Sequence, residues 1–156
     1  AITTAGVVST FAVPGLGSAP FGITSGPDGR LWFTEVGSNE IGAITTAGVV
    51  TEFSSGAITA PSAGITTGAD GNLWYGSTDT GAVGQITTAG VVTVFMAGIT
   101  GLSTPDIVNG PDGALWFTEG TGDLVGRITT AGVVTGEFPT NAGANPTGIA
   151  VGGDGR

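Results

Sequence analysis

The chain has 156 residues, 40% hydrophobic and only 10% charged, with 31 glycines, 8 prolines and 12 acidic side chains against 3 arginines, for a formal charge of −9. Cysteine, histidine and lysine are absent, which excludes a thiolate nucleophile, a disulfide, a Cys/His zinc site and an imidazole base. Arg30, Arg127 and Arg156 form no basic cluster, so neither nucleic acid nor an anionic membrane surface is expected as partner, because both are bound through Lys and Arg that displace counterions.

The length suits one domain over residues 1–156. Ala1 falls inside a repeating pattern, which predicts a processed product or an excised piece. The segment Ile-Thr-Thr-Ala-Gly-Val-Val starts at Ile2, Ile44, Ile86 and Ile128, a step of 42 residues. Asp-Gly pairs keep the same step at Asp28, Asp70, Asp112 and Asp154, and Leu-Trp pairs stand at Trp32, Trp74 and Trp116. A period near 40 with several short strands per unit predicts an all-β fold, a β-propeller of four-stranded antiparallel blades.

In chain order, Ile2 to Thr4 and Val7 to Ala12 read as the third and fourth strands of an opening blade over residues 2–12. The first whole blade spans 21–53. Gly22 to Ser25 makes its first strand, and the turn Gly26-Pro27-Asp28-Gly29 follows, where Asp-Gly supplies the positive φ of a tight reversal. Leu31 to Glu35 is an aromatic, β-branched second strand. Ile41 to Thr46 and Val49 to Phe53 complete the blade, the last with one wetter face. The pattern recurs over 63–95 and 105–138, and residues 147–151 offer one more first strand. That makes about 3.7 repeats. The closing blade would lack its second strand, so the chain reads as a partial or oligomer-completed propeller with other copies of itself as the expected partner.

Repetition of Thr at one place in every unit favours strand propensity and cross-strand hydrogen bonds over catalysis. Trp32, Trp74 and Trp116 are expected in the core between blades, and Asp28, Asp70, Asp112 and Asp154 in turn chemistry. The loops after the second and fourth strands diverge between units, and they mark the face where a grafted site belongs. On that face Glu35 and Glu119 end second strands, Ser77 takes the same place in the middle unit, and Glu40, Asp79 and Asp123 stand in adjacent loops. These acids are candidates for an oxygen-rich binding site for Mg2+ or Ca2+; a solvated acidic rim is the plainer reading. No residue is singled out as catalytic.

The unit Gly-Pro-Asp-Gly-x-Leu-Trp-Phe-Thr-Glu, then Ile-Gly-x-Ile-Thr-Thr-x-Gly-x-Val-Thr-Glu-Phe, resembles the repeats of the virginiamycin B lyase (streptogramin lyase) family, best from Gly26 to Phe53. The resemblance implies a seven-bladed propeller of about 294 residues by repeat arithmetic. It also implies elimination that opens a cyclic depsipeptide antibiotic, using a histidine base and a magnesium ion near acidic residues on one face. Without histidine the implied base has no position to occupy. Two functions follow as expectations: a non-catalytic propeller scaffold or binding module that needs no cofactor and self-associates through its incomplete blade, or a fragment of a lyase-like enzyme that uses Mg2+. The acidic, cysteine-free composition leans toward a secreted or surface location.

Overall fold

Three turns per repeat, each with its own local chemistry, reverse the chain into a meander. The computed structural model describes residues 1–15 and 17–153, so Asp154 lies outside the described residues. Blade A contains β1 (Pro20–Ser25), β2 (Leu31–Glu35), β3 (Glu40–Ile44) and β4 (Val50–Ser54). Blade B contains β5 (Pro61–Thr67), β6 (Leu73–Ser77), β7 (Val83–Ile86) and β8 (Val92–Phe95). Blade C contains β9 (Ile107–Asn109), β10 (Leu115–Glu119), β11 (Leu124–Ile128) and β12 (Val134–Pro139), with a 3-10 turn at Gly120–Gly122. In each sheet the strands follow in sequence order and are antiparallel, and the first strands β1, β5 and β9 lie side by side. Among the described residues no helix is long and apolar enough to cross a membrane.

The Asp-Gly turns do more than reverse the chain. Asp28 Oδ1 accepts the indole N–H of Trp32 at 3.1 Å, Asp70 that of Trp74 at 3.1 Å and Asp112 that of Trp116 at 3.2 Å. A buried indole donor thus finds its acceptor four residues back. Each tryptophan stacks on the phenylalanine of its own fourth strand, Phe53, Phe95 or Phe138, with centroids 5.1–5.5 Å apart. Trp32 and Trp74 are 0% exposed because the next blade covers them, whereas Trp116 is half-buried.

The repeated threonine has a different role from the expected one. β3 ends at Ile44, and Thr45 stands in the turn, where its hydroxyl accepts the Val49 N–H at 3.1 Å while its own N–H donates to Val49 O at 3.0 Å. Thr3, Thr87 and Thr129 repeat the arrangement. A short hydroxyl that captures a nearby amide clasps a turn in preference to extending a ladder.

Blades join through one recurring contact. The turn glycine after that threonine has positive φ, +87° at Gly90 and +80° at Gly132, and its missing side chain makes room for the ring of Phe53 or Phe95 from the preceding blade. Phe11 lies on Gly48 in the same way, so the N-terminal segment docks as the fourth strand of a preceding blade would. The cores lie at these junctions: Trp32, Ile41, Ile65, Leu73, Tyr75 and Ile86 at one, Trp74, Val83, Ile107, Leu115, Phe117 and Ile128 at the other.

The two ends depart from expectation. Residues 2–12 keep their turn but pair only through the single bridge Ile2 to Val8, and residues 147–151 form no strand. Both lack a second strand, and a strand without neighbours on its edge has too few hydrogen bonds to hold a ladder. Blade C carries one extra residue in its fourth strand. It is absorbed as a bulge at Thr135 between the pairs Arg127 to Gly136 and Ile128 to Val134, which restores the register of Glu137 and Phe138.

Candidate functional site

Alternation along paired strands decides which acids meet. Glu35 at the end of β2 lies opposite Glu40 at the start of β3, and Gly42 lies opposite Glu52 on β4. With a side-chain period of two, Phe33, Glu35, Glu40 and Glu52 share one face. Gly42 has no side chain there; a Cβ would run into the Phe33 ring and stand 2.7 Å from Glu35 Oε1. Glu52 therefore reaches across the glycine toward Glu35. One oxygen from each of Glu35, Glu40 and Glu52 lies within 4.8 Å of the other two.

Glu35 is 0% exposed. Its Oε2 accepts the Ser38 hydroxyl at 3.3 Å, while Oε1 and Glu52 Oε1 are buried without a hydrogen-bond partner. Burial, followed by the charges of Glu52 and Glu40, pushes Glu35 up from 4.5 to about 7, against the opposing Ser38 hydrogen bond.

Blade C builds the same device with one exchange. Glu119 lies opposite Leu124, and Gly126 lies opposite Glu137, so leucine replaces the third acid. Here the loop between blades supplies donors. Gly101 N–H donates to Glu119 Oε2, Thr100 N–H to Glu137 Oε1 at 2.7 Å, and the Thr100 hydroxyl to Glu137 Oε2 at 3.2 Å. Glu119 is 0% exposed. Burial above all, with the adjacent Glu137 carboxyl, raises it to about 7, while the Gly101 amide works in the other direction. Beside that carboxyl, Glu119 keeps its proton more readily than a free glutamate does. Blade B has Ser77, Ala82 and Val94 at these positions, and Ser77 Oγ donates to Thr59 O at 2.7 Å.

The expected acids thus do not form one rim. Glu35 and Glu40 come together, and Glu119 belongs to a separate pair beyond blade B, which has no acid at the equivalent positions. Glu35 and Glu119 are buried on the blade faces opposite to Trp32 and Trp116. Asp79 lies exposed in the turn after β6 and joins neither cluster. Asp123, at φ +53°, accepts the N–H groups of Asn145 at 2.8 Å and Gly143 at 2.6 Å. Those two backbone donors, Asn145 first, hold its carboxyl below the usual range; it anchors a loop. Glu52 and Glu137 are the acids that reading along the sequence left out. Their signal is the Glu-Phe pair of the fourth strand, placed beside a glycine of the third.

Chemically, the blade A cluster offers only hard oxygen donors, the kind Mg2+ and Ca2+ take. Glu35 and Glu119 can each hold or release a proton near neutral pH.

The chain matches the model of the virginiamycin B lyase family over residues 1–63 and 55–156. No curated protein sequence matches it. Among solved structures it is similar to virginiamycin B lyase from Staphylococcus aureus, with 40% identity and a TM-score of 0.87, over 93% of this chain and 50% of that one. A catalytically inactive variant of that lyase with quinupristin gives 39% identity and a TM-score of 0.87, with the same coverage. A streptogramin B lyase gives 32% identity and a TM-score of 0.89, over 99% of this chain and 52% of that one. The chain therefore spans about half the length of these relatives.

Proposed function

Because the chain belongs to the virginiamycin B lyase family, we propose that its three blades serve as a non-catalytic propeller scaffold or binding module that self-associates through its unfinished closing blade. The observation that carries this reading is that both ends of the stack are open and apolar. At blade C, Val108, Trp116, Ile149 and Val151 line a pocket of about 390 Å³, and Phe138 is 47% exposed. At blade A, Phe11, Phe21, Ile23 and Phe33 line a groove of about 420 Å³.

These are complementary halves of a junction the chain already makes internally. Phe138 follows Phe53 and Phe95 in the repeat, and among the described residues no turn glycine lies under its ring. Gly6 precedes Gly48 in the repeat, and among the described residues no atom lies within 4 Å of where its side chain would be. A second copy answers both needs, with Phe138 of one seated on Gly6 of the other in a head-to-tail contact.

Light scattering over a range of concentrations tests this. A mass of at least twice 15.1 kDa, reduced to one chain by Phe138→Glu with the sheet content retained, is expected. A monomer of the parent chain at every concentration overturns self-association.

One observation favours a second reading, a fragment of a lyase that acts on cyclic depsipeptide lactones with Mg2+. Glu35 and Glu119 are both raised to about 7, where a carboxylate can accept a substrate proton. Both are shut away from solvent, and the chain has no histidine, so such a base would need the segments packed over it to move aside. Opening of quinupristin that stops on addition of EDTA would replace the scaffold reading with this one; no opening supports the scaffold.

A further inference from the structure

Blades A and C solve one electrostatic problem with the same two positions, and the difference between their solutions points to a ligand. In both, a fully buried glutamate at the end of the second strand meets a glutamate of the fourth across a glycine. In blade C the loop donors Thr100 and Gly101 bind the pair, and leucine fills the third position. In blade A a third carboxylate, Glu40, takes the place of that leucine. Among the described residues no backbone N–H or positive side chain reaches the cluster; the Ser38 hydroxyl is the donor it has.

We propose that Glu35, Glu40 and Glu52 form a binding site for one hard divalent cation of the Ca2+ class, which ties together the ends of β2, β3 and β4. Three observations carry it. The first is the gathering of three carboxylate oxygens within 4.8 Å of one another, the span of two Ca–O bonds of about 2.4 Å. The second is the unpartnered oxygen Oε1 of Glu35, a side chain with no exposure, directed into this cluster beside Gly42. The third is Glu52 Oε1, also buried and unpartnered. Buried charges persist when they are paired or bind a metal, and no cationic side chain is paired here. All donors are oxygen, which suits Ca2+, Mg2+ and Mn2+ and disfavours Zn2+ or copper. Three carboxylates from three strands adapt to the irregular shell of Ca2+ more readily than to the strict octahedron of Mg2+, with water completing the shell. The two glutamates of blade C, already bonded by the loop, need no ion.

The test is titration calorimetry and thermal unfolding of the whole chain, stripped with EDTA and then given CaCl2. One ion per chain with a Kd below about 1 mM is expected. The midpoint should rise by about 3–6 °C when Ca2+ stands tenfold over Kd. Glu40→Leu, which installs in blade A what blade C carries, and Glu52→Gln, which keeps the shape, should each weaken binding at least tenfold. Asp79→Asn, an exposed acid outside the cluster, should leave binding unchanged. No heat and no shift at millimolar Ca2+ overturns the site. So does a shift that survives in both cluster variants, since the ion would then sit elsewhere on the acidic surface.

Discussion

Replacing Glu119 by glutamine should remove a pH dependence that the parent carries. Glu119 is raised from 4.5 to about 7 in the folded chain, so between these values the unfolded state has released a proton that the folded state keeps. Where the folded state binds more protons, stability falls as pH rises. The contribution is fully present below 4.5 and is lost as pH climbs through about 7. At about 1.4 kcal/mol per pH unit, the gap sets a ceiling of about 3 kcal/mol. Glu137 is only half-buried and water reaches its side, so about 2 kcal/mol is the working figure. Glutamine imitates the protonated carboxyl, accepting from the Gly101 amide and donating toward Glu137. In EDTA, Glu119→Gln and the parent should unfold at the same urea concentration at pH 4.5. At pH 8 the variant should be more stable by about 2 kcal/mol, or about 4–8 °C in midpoint. General repulsion from the acidic surface acts on both proteins and cancels in the difference. Parallel pH profiles, or a parent that is the more stable at pH 8, would refute the raised Glu119 carboxyl.

Tyr75 is 2% exposed, and its buried hydroxyl has no partner; burial pushes it up to about 12. Phe33 and Phe117 occupy its register opposite Gly42 and Gly126, so Tyr75→Phe should stabilise by about 1 kcal/mol in urea unfolding, by removing a desolvated hydroxyl. Trp74→Ala should cost about 3–5 kcal/mol, as a fully covered aromatic does. Trp116→Ala should cost about half of that in the monomer, because the half-buried ring loses less area, and its cost should grow with protein concentration if copies stack on it. Equal costs for the two tryptophans would contradict the open end at blade C.

Local chemistry determined most of the fold. Asp-Gly turns, the Leu-Trp strand and the 42-residue step each act within a few residues of chain, so they are legible from the sequence alone. The extra residue of blade C could be counted, but only the pairing of β11 with β12 decided that it bulges at Thr135. The threonine is visible in the sequence but its role is not, because a strand residue and a turn clasp have the same side chain and differ only in which amide lies near it. The acids divide in the same way. Glu35, Glu40 and Glu119 stood out along the chain, yet their partners Glu52 and Glu137 come from strands two places away, across a glycine. That contact depends on register, and register is a property of the sheet. The ends show the reverse limit: the sequence of residues 2–12 and 147–151 has strand character, but strands exist only where a neighbour accepts their hydrogen bonds. Tertiary structure alone settled which acids are buried, because burial is conferred by whatever distant segment packs over the strand, as Gly101 does over Glu119.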